Sequence, residues 1–139
     1  EWGTVKTVQV QGLPLSDYFE KYKISRVSLL KSDVEGAELN IFNSVDTATL
    51  KSIDQLTVEF HDFLDSSQLP LVKSTIRKLE RSGFLFINCN FPYHDDTLFI
   101  KKEILMHPKY WVAYLKLLFI KIVYIFRGLT HKVLKTIKT

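Results

Sequence analysis

The strongest constraint on the fold is a compact apolar run that ends in a turn rich in acidic side chains. Residues Val27–Leu30 form the run, and Asp33, Glu35 and Glu38 follow it on either side of Gly36. A compact apolar run of this kind predicts a strand that is covered on both faces, as is usual in parallel sheets. The residues after Gly36 have helical spacing, so the acids are expected at a strand-to-helix turn.

Predicted strands and helices alternate along the rest of the chain. Strands are expected at Thr4–Val10, Val27–Leu30, Gln55–Phe60, Phe84–Ile87 and Thr97–Ile100. Helices are expected from a cap at Ser16 or Asp17 to about Tyr22, after Gly36, after a cap at Asp46, and from near Pro70 to Gly83. This order predicts an α/β fold with a mostly parallel sheet, helices on both faces and an antiparallel final strand in a hairpin.

Open parallel sheets hold ligands beyond the carboxyl ends of their strands, here at Lys31–Glu38 and Glu59–Phe63. On spacing alone, the acids of the first segment have two interpretations. In the structural one, Asp33 caps the following helix, and Glu35 and Glu38 complement the positive end of its dipole. In the functional one, the carboxylates hold a substrate hydroxyl, an amino group or a metal ion.

The residue identities in this turn resemble the signature of a known family. Leu30–Glu38 (LKSDVEGAE) is similar to that of the FkbM methyltransferases, a hydrophobic pair followed by Lys-Ile-Asp-Val-Glu-Gly-Ala-Glu. The resemblance covers about residues 5–100 and departs at Ser32, where the family generally carries Ile. A hydroxyl in a buried strand needs a hydrogen-bond partner, or it costs about 1–3 kcal/mol. Flanking segments also resemble the family, namely Leu15–Tyr18 (LSDY), Leu56–His61 (LTVEFH) and Ser82–Phe84 (SGF).

The resemblance implies the C-terminal half of a Rossmann-like methyltransferase sheet that uses S-adenosylmethionine. It implies methyl transfer to a small-molecule or glycan acceptor, most often at a hydroxyl oxygen of a glycan or natural product. Asp33 would lie near the methyl donor and the acceptor, and it is the one cofactor contact carried over. Glu35, Glu38, Glu59 or His61 would orient or deprotonate the acceptor, although positioning alone can also drive methyl transfer.

The cofactor loop of the family has no counterpart in this chain. Family members bind S-adenosylmethionine through a Gly-rich loop and an acidic residue on the first two strands, whereas the five glycines here are isolated from one another. The chain also begins at Glu1, and its only methionine is Met106. We therefore expect a fragment that lacks the first half of the domain and neither binds the cofactor tightly nor turns over by itself.

Charge divides the chain into an acidic body and a basic tail. Residues 1–100 hold 10 Lys and Arg against 14 Asp and Glu, whereas residues 101–139 hold nine Lys and Arg against one acid, Glu103. This split argues against a nucleic-acid binder. The resemblance implies that residues 1–103 are the C-terminal part of a methyltransferase domain, and the charge split favours a separate basic tail over residues 104–139. Cys89 is the only cysteine, so the chain has no intrachain disulfide. This absence fits a reducing, cytoplasmic location. Cys89 itself is predicted to fill the core.

Two His-Asp pairs, His61-Asp62 and His94-Asp95, carry side chains that suit divalent metals. The sequence does not relate these two strand ends in space, and His94 lies in a turn, where His and Asp are common. We therefore predict no metal site.

Lys31 is expected either to be a buried cation paired with a carboxylate or to extend to water.

The tail contains an apolar run, residues 109–126, that Lys116 and Lys121 interrupt. Each lysine near the centre of a spanning helix costs about 2.5–3.5 kcal/mol, which disfavours a membrane span. The run and the lysines after it predict an amphipathic helix that contacts a membrane peripherally, or a partner protein, through residues 109–138. A helix packed on the domain and a spanning helix are the structural alternatives. The alternative function is a non-catalytic adaptor that binds through this helix.

Overall fold

The computed structural model of the chain describes residues 8–90 and 93–123. Its strands are β1 (Leu30–Ser32), β2 (Gln55–Val58), β3 (Phe84–Asn88) and β4 (Thr97–Lys101). Its helices are α1 (Leu15–Lys21), α2 (Glu38–Ser44), α3 (Thr47–Lys51), α4 (Leu69–Arg81), α5 (Lys102–Leu105) and α6 (residues 111–123). Short 3-10 turns, Ser66–Gln68 and Pro108–Tyr110, precede α4 and α6. The predicted α/β class is confirmed.

The four strands form one sheet in the order β1-β2-β4-β3. Strands β1 and β2 are parallel, whereas β4 is antiparallel to both β2 and β3. Three strands therefore run in one direction, and β4 is the single antiparallel strand of the described sheet. The predicted mostly parallel sheet, antiparallel final strand and hairpin are confirmed. The hairpin folds back so that β4 lies inside the sheet, between β2 and β3.

Helices cover both faces of the sheet, as predicted. The larger core lies on the face covered by α1 to α4, where Phe42, Leu50, Leu79 and Phe99 are fully buried. On the other face, apolar side chains of β3, β4 and α5 pack against α6; these are Leu85, Ile87, Ile100 and Leu105, with Leu98 at the edge. Successive side chains of β3 point to opposite faces, so this one apolar strand contributes to both cores.

Helix α4 has the predicted amphipathic pattern and anchors its neighbour α2. Its buried residues Val72, Ile76 and Leu79 recur at helical spacing. The chain leaves the helix at Gly83, whose φ of +97° favours glycine. From the buried side of α4, the Lys78 ammonium donates hydrogen bonds to three carbonyl oxygens at the end of α2. They belong to Phe42 (2.9 Å), Asn43 (2.8 Å) and Val45 (2.7 Å).

Several local predictions need correction. Strand β1 begins only at Leu30, and Val27 makes an isolated bridge to Ile53. Neither Ser16 nor Asp17 caps α1, which follows Pro14 without a side-chain cap. The Ser16 hydroxyl instead accepts from the backbone N–H of Asp46, at 3.4 Å.

The cap at Asp46 is confirmed, since its carboxylate accepts from the Thr49 N–H at 2.6 Å. Of the strand predicted at Thr4–Val10, residues 4–7 lie outside the described residues, and residues 8–10 form no strand. Cys89 is exposed, because β3 ends at Asn88, so the prediction that it fills the core is wrong.

A helix is present in the tail, and apolar side chains lie on both of its sides. Within residues 8–90 and 93–123, no helix combines the length and the apolar character that crossing a bilayer requires. Residues 124–126 of the apolar run lie outside the described residues. The amphipathic character of the whole tail, and the division of the chain at residue 103, stay predictions.

Candidate functional site

The turn after β1 is stabilised by Glu38, the first residue of α2. Its side chain is 1% exposed. Its Oε1 accepts from the backbone N–H of Val34 at 2.7 Å, and its Oε2 accepts from that of Gly36 at 3.0 Å. Gly36 has a φ of +103° and Glu35 a φ of +53°, so both residues of the turn are left-handed. The Glu35 side chain lies on the surface of this turn, where it is 84% exposed.

Asp33 does not cap α2, which was the structural interpretation of this residue. The residue before α2 is Ala37, whose side chain makes no capping hydrogen bond. Asp33 instead accepts a hydrogen bond from the Lys31 ammonium at 3.0 Å. Lys31 is paired but not buried, since its side chain is 67% exposed. The hydrogen bond and the charge of Asp33 raise the pKa of Lys31 above its usual value.

His61 follows β2 and lies between two glutamates of the turn after β1. Its Nε2 is 3.2 Å from Oε2 of Glu35, and its Nδ1 is 3.5 Å from Oε1 of Glu38. The imidazole is 8% exposed. Its buried Nδ1 has no hydrogen-bond partner among the described residues. A buried, incompletely paired imidazole between two carboxylates is poised to take up or donate a proton.

The five residues predicted for the site lie together. Ligating atoms of Asp33, Glu59 and His61 are all within 4.8 Å of one another, and His61 contacts Glu35 and Glu38. They meet because β1 and β2 are parallel neighbours, so their carboxyl ends share one edge of the sheet. Two carboxylates and an imidazole are also a donor set that suits divalent cations. The expectation that the chain holds no metal stays a prediction.

A polar cleft of about 470 Å³ opens beside Glu59. Carboxylates in such a cleft suit the amino and hydroxyl groups of a ligand. Its walls come from the ends of β1, β2 and β4 and from the turn before β4: Lys31, Ser32, Thr57, Val58, Glu59, Asp95, Asp96 and Thr97. Ser32 is 7% exposed, and its hydroxyl has no partner among the described residues. Serine at this position, where the family generally has Ile, therefore carries the desolvation cost expected from the sequence.

One contact between a histidine and a carboxylate beside the site was not expected from the sequence. Nδ1 of His94 lies 2.7 Å from Oδ2 of Asp62, and both side chains are largely buried. The backbone N–H of His94 donates to the same carboxylate at 3.2 Å, and the Phe60 N–H donates to the carbonyl of His94 at 2.9 Å. The β3–β4 turn is therefore tied to the segment that carries His61. The two His-Asp pairs of the sequence were the only signal of this contact.

Comparison with known families supports the resemblance. The sequence matches the profile of the family described as "Methyltransferase FkbM domain" over residues 3–86. No curated protein and no solved structure gives a match. The matched residues are more than half of the chain, and they include both the acidic turn and His61. The chain belongs to the FkbM methyltransferase family.

Proposed function

We infer that this chain forms the acceptor side of an S-adenosylmethionine-dependent O-methyltransferase site. The proposed acceptor is a hydroxyl group of a glycan or a natural product. The observation that carries this proposal is the buried His61 imidazole, held between Glu35 and Glu38 at the ends of two parallel strands. Membership of the family favours an enzyme over a non-catalytic adaptor.

The proposed sheet is the C-terminal half of a Rossmann-like methyltransferase sheet. Among the described strands, β1 pairs on one side only, so its other edge is available for a further parallel strand. The parallel pair β1-β2 and the position of the site at their carboxyl ends support this arrangement. Extension of the sheet past β1 would place additional residues next to Asp33.

His61 is the residue best placed to remove the proton of the acceptor hydroxyl. Its Nε2 faces Glu35, which is exposed and can move aside for an acceptor. Its Nδ1 faces the buried carboxylate of Glu38, which would stabilise the imidazolium that forms. Glu38 is then a positioning residue, because both of its oxygens already accept hydrogen bonds from the turn. If binding geometry alone drives the reaction, His61 has no such role.

Asp33 and Glu59 would hold polar groups of the cofactor or of the acceptor. S-adenosylmethionine, when bound, supplies a methyl group on a positively charged sulfur atom. The Glu59 carboxylate borders the polar cleft, and Asp33 lies beside it, so both suit the ammonium and hydroxyl groups of that ligand. The isolated glycines of this chain offer no Gly-rich loop for the rest of the ligand. We therefore propose weak cofactor binding, and no turnover, by these 139 residues alone.

Calorimetric titration of the chain with S-adenosylmethionine tests the cofactor proposal. We expect no saturable heat at micromolar ligand, and Asp33→Asn and Glu59→Gln should not change that result. The titration is then repeated with the protein expressed at full length from its own gene, for which saturable binding is expected. Low-micromolar binding by the 139 residues would overturn the proposal of weak binding. Absence of binding to the full-length product would overturn the use of this cofactor.

Transfer of a radiolabelled methyl group by the full-length product tests the role of His61. His61→Gln should lower kcat/KM at least about a hundredfold, mainly through kcat, because it removes a general base that acts in the transition state. His107→Gln is the matched control, since His107 is exposed and lies outside the site. A His61→Gln protein that keeps its kcat would show that positioning alone drives the reaction.

A further inference from the structure

Helix α6 is fixed to the domain by one side. Tyr114, Leu117 and Leu118 pack against the apolar cluster on β3, β4 and α5. The Lys121 ammonium, on the same side, donates to Oε1 of Glu80 on α4 at 3.1 Å. We call this side the inner face of α6. Because it makes both apolar and ionic contacts, the orientation of the helix about its own axis is set by the domain.

The opposite side of α6 is apolar and exposed. Val112, Leu115 and Phe119 are 68%, 64% and 67% exposed. At about 100° per residue these three side chains and Val123 fall within an arc of about 80°. One shallow apolar depression is lined by Val112, Leu115 and Phe119 together with Lys116 and Ile120. We call this side the outer face of α6. A soluble helix normally has polar residues at such positions, so a contiguous apolar face indicates an interaction surface.

Charge indicates which kind of surface the outer face meets. The chain from residue 101 to residue 139 carries nine Lys and Arg and a single acid. Lys116 lies on the outer face itself, and Lys109 immediately precedes the helix. At the start of the helix are the half-exposed aromatic rings of Tyr110 and Trp111. Lysines around an apolar helix face, with aromatic rings at its end, complement the anionic headgroups and the interface of a lipid bilayer.

We propose that the outer face of α6 binds the domain to the surface of an anionic bilayer, with the helix lying in the plane of the membrane. The inner face of α6 packs on the domain, so the described part of the helix lies on the membrane and does not cross it. The Lys116 stem lies along the apolar face while its ammonium reaches the headgroups. Because the inner face holds the domain, binding places the whole sheet at the membrane in one orientation.

Vesicle co-sedimentation of the 139-residue chain tests this proposal. The vesicles are phosphatidylcholine mixed with phosphatidylserine, and phosphatidylcholine alone. We expect the chain to sediment with the mixed vesicles and to be released as NaCl rises from about 0.05 to 0.5 M. Leu115→Gln should weaken binding about tenfold, because it removes an apolar side chain from the interface. Leu64→Gln is the matched control: Leu64 is 72% exposed, lies outside α6 and should not affect binding.

Each contrary result overturns the proposal in its own way. If the chain fails to sediment with the mixed vesicles at low salt, the outer face does not bind anionic lipid. If Leu115→Gln and Leu64→Gln weaken binding equally, the lipid contact is not on the outer face. The same conclusion follows if Leu115→Gln leaves sedimentation unchanged. A dimer in light scattering that Leu115→Gln dissociates assigns the outer face to a second copy of the chain. Circular dichroism of both variants verifies that α6 stays folded.

Discussion

Nε2 of His61 lies 3.2 Å from Oε2 of Glu35, although the two residues follow different strands. The histidine is buried, whereas the glutamate is 84% exposed and has a left-handed backbone, with a φ of +53°. A non-glycine residue in this conformation is strained, and such strain is concentrated at functional sites. The turn therefore holds an exposed carboxylate against a buried imidazole.

Replacement of Glu35 separates the backbone strain from the carboxylate. Glu35→Gly should raise the free energy of unfolding by about 1 kcal/mol, because glycine adopts a positive φ without the Cβ clash. Glu35→Ala removes the same carboxylate but keeps the Cβ, so it should not stabilise the chain. Urea denaturation measures both values. Equal shifts in the two variants would show that the backbone at this position stores no strain.

Ser32→Ala should stabilise the chain by about 1 kcal/mol. The buried Ser32 hydroxyl has no partner among the described residues, and its removal relieves an unmet desolvation cost. Ser28→Ala is the matched control, since Ser28 is exposed and precedes the same strand. Both are measured by urea denaturation. Loss of stability in Ser32→Ala alone would mean that this hydroxyl has a hydrogen-bond partner after all.

Lys78→Met should lower the free energy of unfolding by about 2 kcal/mol. The substitution leaves three carbonyl oxygens at the end of α2 without the ammonium that bridges them. Lys73→Met, at an exposed position on the same helix, should change stability by less than about 0.5 kcal/mol. Because α2 also carries Glu38, hydrogen exchange at Val34 and Gly36 should accelerate in Lys78→Met. Unchanged exchange at Val34 and Gly36 would mean that the Lys78 contacts do not stabilise the acidic turn.

Stability should depend on pH through Lys101, which is 4% exposed. Its ammonium donates to the Ser82 carbonyl at 2.9 Å and lies 4.3 Å from the centroid of the Phe84 ring. Burial lowers the pKa of Lys101 below its ordinary value of 10.5. The unfolded chain then binds this proton more tightly, so the Lys101 contribution to stability rises with pH up to about 10.5 and falls as pH drops through the folded pKa.

Urea denaturation across alkaline pH measures this contribution. The stability of the parent relative to Lys101→Met should increase as pH approaches 10.5. Lys102→Met is the matched control, because the neighbouring side chain is exposed and should not alter the slope. A constant difference between the parent and Lys101→Met over this range would mean that the burial of Lys101 does not penalise its charge.

Local patterns were sufficient for the elements whose signals are local. The spacing of Val72, Ile76 and Leu79 and the closing Gly83 predicted α4, and the short turn after β3 predicted the hairpin with β4. Local patterns did not determine where the helices begin. Pro14 precedes α1 and Ala37 precedes α2, where Ser16 and Asp33 had been expected as caps. Those side chains bind Asp46 and Lys31 instead, because nearby donors compete for them.

By itself, the sequence determined the family and the location of the acidic turn, because the identities in Leu30–Glu38 are read one residue at a time. Only the tertiary structure decided that Glu38 points inward, that His61 lies between it and Glu35, and that His94 binds Asp62. The His61 contacts depend on the parallel pairing of β1 with β2, and the His94 contact depends on the pairing of β4 with β2. Both pairings join segments that are far apart in the chain. Periodicity reports the buried face of an element, not the element that it packs against.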